Sequence, residues 1–371
     1  MPSNSSQRSN FRRELGALRL VPLLALVATT FLPLIAFGQA SFTGLGSLPN
    51  GNLITDSRDI SADGSVVVAE GRGPVRWTAA GGGTLLPRTF TSGSDHVFAI
   101  SADGSVAVGR NGARAVQWDS TGISNVGPYP ASNFNRAVGV SSDGSVIVGR
   151  AGNRWFHQSD AEGFRVMGST SSDVVGVSDD GLIVAGNDRG PFTWTDATGQ
   201  VNLGQHPDAH TSATFANRIS PDGNVIVGWA STPNGRQGFR WTQGDGYENL
   251  GEAGGSGPSM WDALDTNFDG SIVVGSGLDA SSGEIEAYIW DEANGARSLR
   301  VLLSAMGVDV TGWEIWGAQA VSHDGRTIVG VGQNPNGDRE AWIAVIPEPS
   351  TSILIGGGLI LLSCIRRTSV C

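Results

Sequence analysis

The chain has 371 residues, of which 54 are glycine, 39% are hydrophobic and 16% are charged, and it contains no lysine. Its formal net charge of −11 argues against a polyanionic partner such as nucleic acid or an anionic membrane surface. The hydrophobic content excludes a disordered chain, and abundant glycine without a collagen-like period indicates many short strands joined by tight turns.

The first 40 residues have the pattern of an export signal. Arg8, Arg12 and Arg13 precede an apolar stretch at 20–37, and Gly38-Gln39-Ala40 is a small-residue cleavage site. We predict a signal peptide over residues 1–40 that is cleaved after Ala40. A membrane anchor that stays attached is the alternative. The two adjacent arginines fit a twin-arginine signal only loosely, so a general secretory route is favoured.

A seven-fold repeat fills the chain from residue 41 to residue 346. Each copy contains an Asp-Gly pair followed by an apolar run, at intervals of 37 to 55 residues. The pairs are Asp63-Gly64, Asp103-Gly104, Asp143-Gly144, Asp180-Gly181, Asp222-Gly223, Asp269-Gly270 and Asp324-Gly325. A serine stands two residues before each Asp, except that Asn267 replaces it in the sixth copy. One tryptophan follows each pair: Trp77, Trp118, Trp155, Trp194, Trp241, Trp290 and Trp342.

Each copy divides into four short strands. The first strand ends at the serine, and Asp-Gly supplies a tight hairpin turn. The second strand is a continuous apolar run such as Val146-Ile147-Val148, which requires cover on both faces. The third carries the tryptophan, and a fourth follows a polar turn. Four strands in about 40 residues is the period of a propeller blade, so we predict an all-β, seven-bladed β-propeller. An open array or a β-solenoid is the alternative.

The two ends of the repeat predict how the ring closes. The seventh copy meets Pro347 without a fourth strand, whereas residues 41–46 resemble an isolated fourth strand ahead of the first copy. We therefore expect residues 41–46 to pair with the last blade. The long sixth interval predicts a short helix from Ser298 to Met306, ended by Gly307.

The C-terminal segment, residues 347–371, has three parts. Pro347-Glu348-Pro349 is followed by a short, glycine-rich apolar span at 351–365 and then by Arg366-Arg367. This arrangement resembles the PEP-CTERM sorting signal, and the resemblance implies a Gram-negative type envelope, transient membrane anchoring and processing by an exosortase. A proline-rich linker before an ordinary tail anchor is the alternative. Both cysteines, Cys364 and Cys371, lie in this tail, so the processed protein would contain none.

The repeats resemble the HAF family of extracellular repeats over nearly all of residues 42–346. The family implies a secreted or surface propeller and supplies no catalytic residues. It is consistent with the sorting signal.

Three sites are candidates for binding. Asp265, Asn267 and Asp269 match the opening of a calcium loop, against the simpler interpretation of an ordinary Asp-Gly turn. The position two before the repeat serine holds Asp59, Arg218 and Asp265 in three copies, which would face a common channel as a ligand site or as an ion cluster. Four tryptophans outside the repeat position would stack on sugars or fill gaps: Trp229, Trp261, Trp313 and Trp316.

These features favour a surface binding or structural module over an enzyme. The expected partner is a polysaccharide or an envelope protein, with no cofactor other than, at most, calcium. The alternatives are a secreted propeller enzyme acting on carbohydrate, as a glycosidase or lyase, and a calcium-dependent adhesin. The five histidines are scattered, and although His206 and His210 are four residues apart, Pro207 separates them.

Overall fold

The repeated Ser-x-Asp-Gly segment forms the same turn in every copy because its side chains supply the hydrogen bonds that the backbone lacks. In the third copy the Ser141 hydroxyl donates to Asp143 Oδ1 at 2.7 Å, and the Ser145 amide donates to the same oxygen at 2.9 Å. The Val146 amide donates to Ser141 Oγ at 2.9 Å, which starts the next strand. In the sixth copy the side-chain oxygen of Asn267 accepts the equivalent amide, from Ile272, at 2.8 Å.

The computed structural model of the chain describes residues 39–89, 95–128, 135–210, 213–251, 259–279 and 282–347. These contain 28 strands, of which β1 is Ser41–Gly44. Blade 1 contains β2 (Asp56–Ile60), β3 (Val66–Glu70), β4 (Pro74–Thr78) and β5 (Gly82–Leu85). Blade 2 contains β6 (His96–Ile100), β7 (Ala107–Asn111), β8 (Arg114–Asp119) and β9 (Gly122–Asn125). Blade 3 contains β10 (Arg136–Val140), β11 (Val146–Ala151), β12 (Arg154–Ser159) and β13 (Gly163–Met167).

The remaining four blades follow the same plan. Blade 4 contains β14 (Asp173–Val177), β15 (Val184–Asn187), β16 (Pro191–Thr195) and β17 (Gly199–Asn202). Blade 5 contains β18 (Thr214–Ile219), β19 (Val225–Thr232), β20 (Gly235–Thr242) and β21 (Gly246–Asn249). Blade 6 contains β22 (Ser259–Thr266), β23 (Ile272–Leu278), β24 (Ile285–Asp291) and β25 (Gly295–Ser298). Blade 7 contains β26 (Glu314–Val321), β27 (Thr327–Gln333) and β28 (Arg339–Val345).

The seven sheets form a ring, which confirms the predicted propeller. In blades 1 to 6 the four strands pair in chain order, and in blade 7 the order is β1-β28-β27-β26. The first strand of each blade contacts the first strand of the next, and β26 of blade 7 contacts β2 of blade 1. The N-terminal strand closes the ring as predicted, with Ser41 opposite Val345 and Gly44 opposite Trp342.

Packing between blades repeats around the ring. The turn glycine of each blade lies against the residue that begins the second strand of the preceding blade, or against the residue just before that strand. A Cβ on Gly104, for example, would stand 2.8 Å from Val66 Cγ2. Blade 1 meets blade 7 in the same way, since a Cβ on Gly64 would stand 2.6 Å from Thr327 Oγ1. Six of the seven repeat tryptophans are buried between sheets, and Trp241 is half-buried.

Backbone hydrogen bonds link the turns of neighbouring blades on one face of the ring, which we name the turn face. The bonds are made by the residue directly after the repeat serine, or after Asn267, and in blade 5 also by the second residue after the serine. His323 N donates to Ala62 O at 3.0 Å across the closure, and Asp179 N donates to Pro221 O at 2.8 Å. Similar bonds join four further pairs of neighbouring blades. They hold the blades at a fixed spacing, independently of side-chain identity.

The predicted helix in the sixth interval is confirmed as α1 (Leu299–Ala305). Ser298 caps its N-terminus by accepting a hydrogen bond from Val301 N at 3.3 Å, and Gly307 follows its end with a φ of 80°. Leu299 and Leu303 are buried in a cluster between blades 6 and 7. The helix therefore packs on blade 6, beside its contact with blade 7. Within the described residues no helix is long and apolar enough to cross a membrane.

Candidate functional site

The first strands of the blades surround a narrow central channel. Each first strand has a β-bulge three residues before the repeat serine, or before Asn267 in blade 6. In blade 5 the bulge lies between Ala216 and Arg218, and Arg218 is the residue that follows it. The bulge directs this position, the channel position, toward the axis. Ala99, Gly139 and Gly176 line the channel in blades 2 to 4, where a Cβ on Gly139 would lie 3.0 Å from Gly176 Cα. The close approach of the backbones of blades 3 and 4 therefore favours glycine at this position.

The structure brings Asp59, Arg218 and Asp265 together across this channel. The Arg218 guanidinium donates to Asp265 Oδ1 at 3.0 Å and also to Asp59 Oδ1. Each carboxylate reaches the next blade as well: Ile100 N donates to Asp59 Oδ2 at 3.0 Å, and Val321 N donates to Asp265 Oδ2 at 2.9 Å. All four carboxylate oxygens accept a hydrogen bond from the protein. We name this group the axial triad.

The axial triad is largely shielded from solvent, and its one cation lies between two carboxylates. The side chains of Asp59 and Asp265 are 10% and 6% exposed, and that of Arg218 is 19% exposed. Burial raises the pKa of Asp59 to about 6, against the opposing charge of Arg218. Burial alone would lower the pKa of Arg218, but the two carboxylates raise it above its ordinary value. The triad thus joins blades 1, 2, 5, 6 and 7 by charge-assisted hydrogen bonds.

The channel interior is too small for most ligands. Its free volume is about 70 Å³, enough for a few water molecules and far below the several hundred Å³ of a typical small-molecule site. A saccharide or peptide therefore has access to the mouths of the channel and the faces of the ring, and the axial triad forms a floor beneath.

At the turn face the mouth carries a pair of residues that the sequence did not single out. His323 Nδ1 lies 3.8 Å from Asp179 Oδ2, and the ring of Phe268 lies 5.6 Å from that of His323. Burial raises the pKa of Asp179, and the charge of His323 opposes this. Phe268 is 44% exposed. All three stand one residue after the repeat serine or Asn267, where the other copies carry Ala, Ser or Pro.

The calcium candidates do not point to a common centre. The oxygens of Asp265 belong to the axial triad, and the side-chain oxygen of Asn267 accepts from Ile272 N. Asp269 Oδ1 accepts from Ser271 N at 3.0 Å, as in the other turns. Across the described parts of the chain, no three His, Cys, Asp or Glu side chains are grouped to hold a metal ion. His206 is buried and its Nδ1 accepts from Asp208 N at 3.2 Å, whereas His210 is exposed.

The four additional tryptophans have different surroundings. Trp313 packs edge-on against Phe42 with ring centroids 5.2 Å apart, beside the helix, and fills a gap as one alternative predicted. Trp229, Trp261 and Trp316 are half-buried and lie on the face opposite the turns.

The predicted signal peptide and most of the sorting signal lie outside the described residues. This applies to residues 1–38 and to Glu348, Pro349, Arg366, Arg367 and the apolar span at 351–365. Pro347 stands two residues after the end of β28 and is the final described residue.

Comparisons with known proteins add little to the fold. No family model matches the sequence, and no curated protein matches it at a significant level. Among solved structures, one assigned as TolB of Agrobacterium tumefaciens is similar, with a TM-score of 0.42 and 16% sequence identity. The match covers 84% of this chain and 100% of that one.

Proposed function

We propose that this chain is an exported β-propeller that acts as a binding or structural module at the cell surface or in the extracellular matrix of a Gram-negative type bacterium. In this proposal residues 1–40 direct export, and residues 347–371 anchor the chain briefly until an exosortase removes them. The partner is an exopolysaccharide or an envelope protein.

The observation that favours a binding module over an enzyme is that the carboxylates in the channel are hydrogen-bonded to other groups of the protein. A glycosidase needs two carboxyl groups that are free to exchange protons with substrate or water. Asp59 and Asp265 are instead held by Arg218 and by main-chain amides of blades 2 and 7. This arrangement supports a role in holding the ring together, and it leaves ligand recognition to the two faces.

Secretion tests the first half of the proposal. The full chain, with an epitope inserted in the exposed turn at 160–162, is expressed in a Gram-negative host that carries an exosortase. We expect the tagged protein outside the cell, shortened at its C-terminus. A matched variant with Pro347→Ala and Pro349→Ala should remain with the membrane fraction. Full-length, membrane-bound wild-type protein would contradict the proposed processing.

Binding tests the second half. The processed protein recovered from the medium is applied to a glycan array in the presence of calcium and in the presence of EDTA. We expect binding to polysaccharide that EDTA does not remove. Loss with EDTA would favour the calcium-dependent adhesin, and release of reducing ends from a bound glycan would favour the carbohydrate-acting enzyme.

A further inference from the structure

The face opposite the turns carries one repeated position at which blade 5 differs from all other blades. The position is three residues before the channel position of the first strand, and its residue pairs with a residue near the far end of the second strand. The seven pairs are Asp56–Glu70, His96–Arg110, Arg136–Arg150, Asp173–Asn187, Phe215–Trp229, Asp262–Ser276 and Gly317–Val331. Blade 5 alone has two aromatic residues, where five of the others have two polar residues.

The two rings continue into a stack that crosses to blade 6. The rings of Phe215 and Trp229 are 4.7 Å apart at an interplanar angle of 26°. The Arg236 guanidinium lies 3.8 Å from the centre of the Trp229 ring and donates to Asp262 Oδ1 at 2.5 Å. We name these four residues the aromatic ladder. It is a continuous surface of flat groups, ending in an ion pair between two blades.

The ladder is partly exposed and is held in place, although the fold does not require aromatic residues at these positions. Phe215 is 38% exposed, whereas the equivalent positions of five other blades are polar or charged without loss of the blade. The side chain of Asn187, in blade 4, accepts from Ala216 N at 2.8 Å and donates to Ala216 O at 3.0 Å. The strand that carries Phe215 is thus fixed by its neighbour. An exposed, positioned aromatic surface that the core does not need is typical of a binding site.

The second strands of blades 5 to 7 are longer than those of the other blades, so these three blades project further on the face opposite the turns. We name this projecting part of the face the wall. The second strands have five, five, six and four residues in blades 1 to 4, but eight, seven and seven in blades 5 to 7. The added residues lie at the end away from the turns. Additional bulges in blades 6 and 7 occur at Trp261 and Trp316, and Arg339 lies 6.0 Å from the Trp316 ring. The ladder therefore lies along the wall, with further aromatic residues.

We propose that the aromatic ladder is the binding site for an uncharged polysaccharide, with the apolar face of one sugar ring against Phe215 and the hydroxyls of a further unit of the same polysaccharide directed to Arg236 and Asp262. This rests on the proposed function and names its site and ligand class. The C–H bonds of a sugar ring suit the negative face of an aromatic ring, and a carboxylate and a guanidinium together accept from and donate to hydroxyls. Because Asp262 neutralises Arg236 and the chain carries a net charge of −11, a polyanion is disfavoured.

Native gel electrophoresis of the processed protein in the presence of soluble polysaccharides tests the site. The probes are dextran, hydroxyethyl cellulose and galactomannan, with alginate as the polyanion. We expect at least one uncharged probe to retard the wild-type protein. Phe215→Ala should weaken this binding about ten-fold, as for an aromatic residue at the centre of an interface. Phe215→Trp should retain it, and Phe268→Ala, which removes the exposed aromatic residue of the opposite face, should leave it unchanged.

The outcomes separate this site from the proposed function. Loss of retardation in Phe268→Ala but not in Phe215→Ala would place the saccharide site on the turn face and overturn the ladder. Equal retardation of all three variants would also overturn it, while the binding function remained. If none of the uncharged probes retards the wild type but alginate does, the ligand class is wrong. Thermal unfolding confirms that the exposed Phe215→Ala substitution leaves the fold intact.

Discussion

Loss of the Arg218 side chain should strongly lower the stability of the propeller. It is the one cation of the axial triad, so Arg218→Met leaves Asp59 and Asp265 buried together without a counter-charge. We expect the free energy of unfolding to fall by about 3–5 kcal/mol, as when one partner of a buried ion pair is removed. Urea denaturation measures this, and Arg72→Met, at an exposed arginine, serves as the control with a change within about 0.5 kcal/mol.

A variant without any of the three charges shows why Arg218→Met is unstable. It separates the loss of an attractive interaction from the cost of leaving buried carboxylates without a counter-charge. The combination of Asp59→Asn, Arg218→Met and Asp265→Asn should recover much of the stability, since apolar or neutral replacements of a buried ion cluster are often tolerated. If Arg218→Met alone is as stable as the wild type, the triad does not hold the blades together.

Glu70 should make stability depend on pH in an unusual direction. Burial between blades 1 and 2 raises its pKa from 4.5 to about 7, although Arg58 and the Val97 amide favour the charged form. Because the folded state holds this proton more tightly, the stabilisation is complete below about pH 4.5 and is lost as the pH rises through 7. Glu70→Gln removes the titration and retains an oxygen for Val97 N.

Thermal unfolding at pH 5 and pH 8 measures the effect. We expect Glu70→Gln to be more stable relative to the wild type at pH 8 than at pH 5, by about 2 kcal/mol. The neighbouring His96, whose pKa is lowered mainly by burial, is present in both proteins. An unchanged difference between the two pH values would show that the Glu70 carboxyl does not titrate in this range.

The turn is the element on which the spacing of the blades depends. Its glycine has two tasks, a positive φ and contact with the preceding blade. Gly104 has a φ of 72° and lies against Val66, whereas Gly199 has a φ of 65° with open space around its missing Cβ. A comparison of the two positions therefore separates backbone strain from packing between blades.

We expect Gly199→Ala to cost about 1 kcal/mol, the strain of the left-handed conformation alone. Gly104→Ala should cost roughly 2–4 kcal/mol, because the added methyl group must also displace Val66. Chemical denaturation of both variants measures the difference. Equal costs at the two positions would mean that the turn does not need to be close to the adjacent blade.

The elements that the sequence predicted are those with a local cause. The turns, the helix at Ser298 and the unpaired strand at residues 41–46 each follow from a few neighbouring residues, and the equal place of Asp59, Arg218 and Asp265 in the repeat predicted that they meet. The contact of Asp179 with His323 needs the geometry of the ring, which no local pattern contains. The sequence did not predict an exposed Phe215. The bulge at Asn217 shifts the strand by one residue, so the alternation of polar and apolar residues does not show which face the Phe215 side chain is on.

At the scale of the whole molecule, the ring is held shut by its first strand. Phe42 packs against Trp313 and Trp342 with centroid distances of 5.2 and 5.5 Å. Leu45 N donates to Ala341 O at 2.8 Å, and Trp77 of blade 1 donates to Leu45 O at 3.0 Å. Residues 41–46 thus contact both sides of the closure, and their deletion would expose the edge of β28.

Deleting residues 41–46 should lower the free energy of unfolding by at least about 3 kcal/mol, because the strand's hydrogen bonds, the buried Leu45 side chain and the packing of the half-buried Phe42 ring are lost together. It should also make Arg339–Val345 the first segment to exchange its amide hydrogens. Ser41 lies opposite Val345, so the same six residues attached after Ile346 through three added residues, Asn-Gly-Ser, would leave a four-residue loop and pair with β28 in the native register. We expect this rearranged chain to recover the wild-type stability and protection, since closure depends on the strand's place in the sheet and not on its place in the sequence. If the rearranged chain is as unstable as the deletion, continuity with residue 47 is what closes the ring, and the strand's hydrogen bonds are secondary.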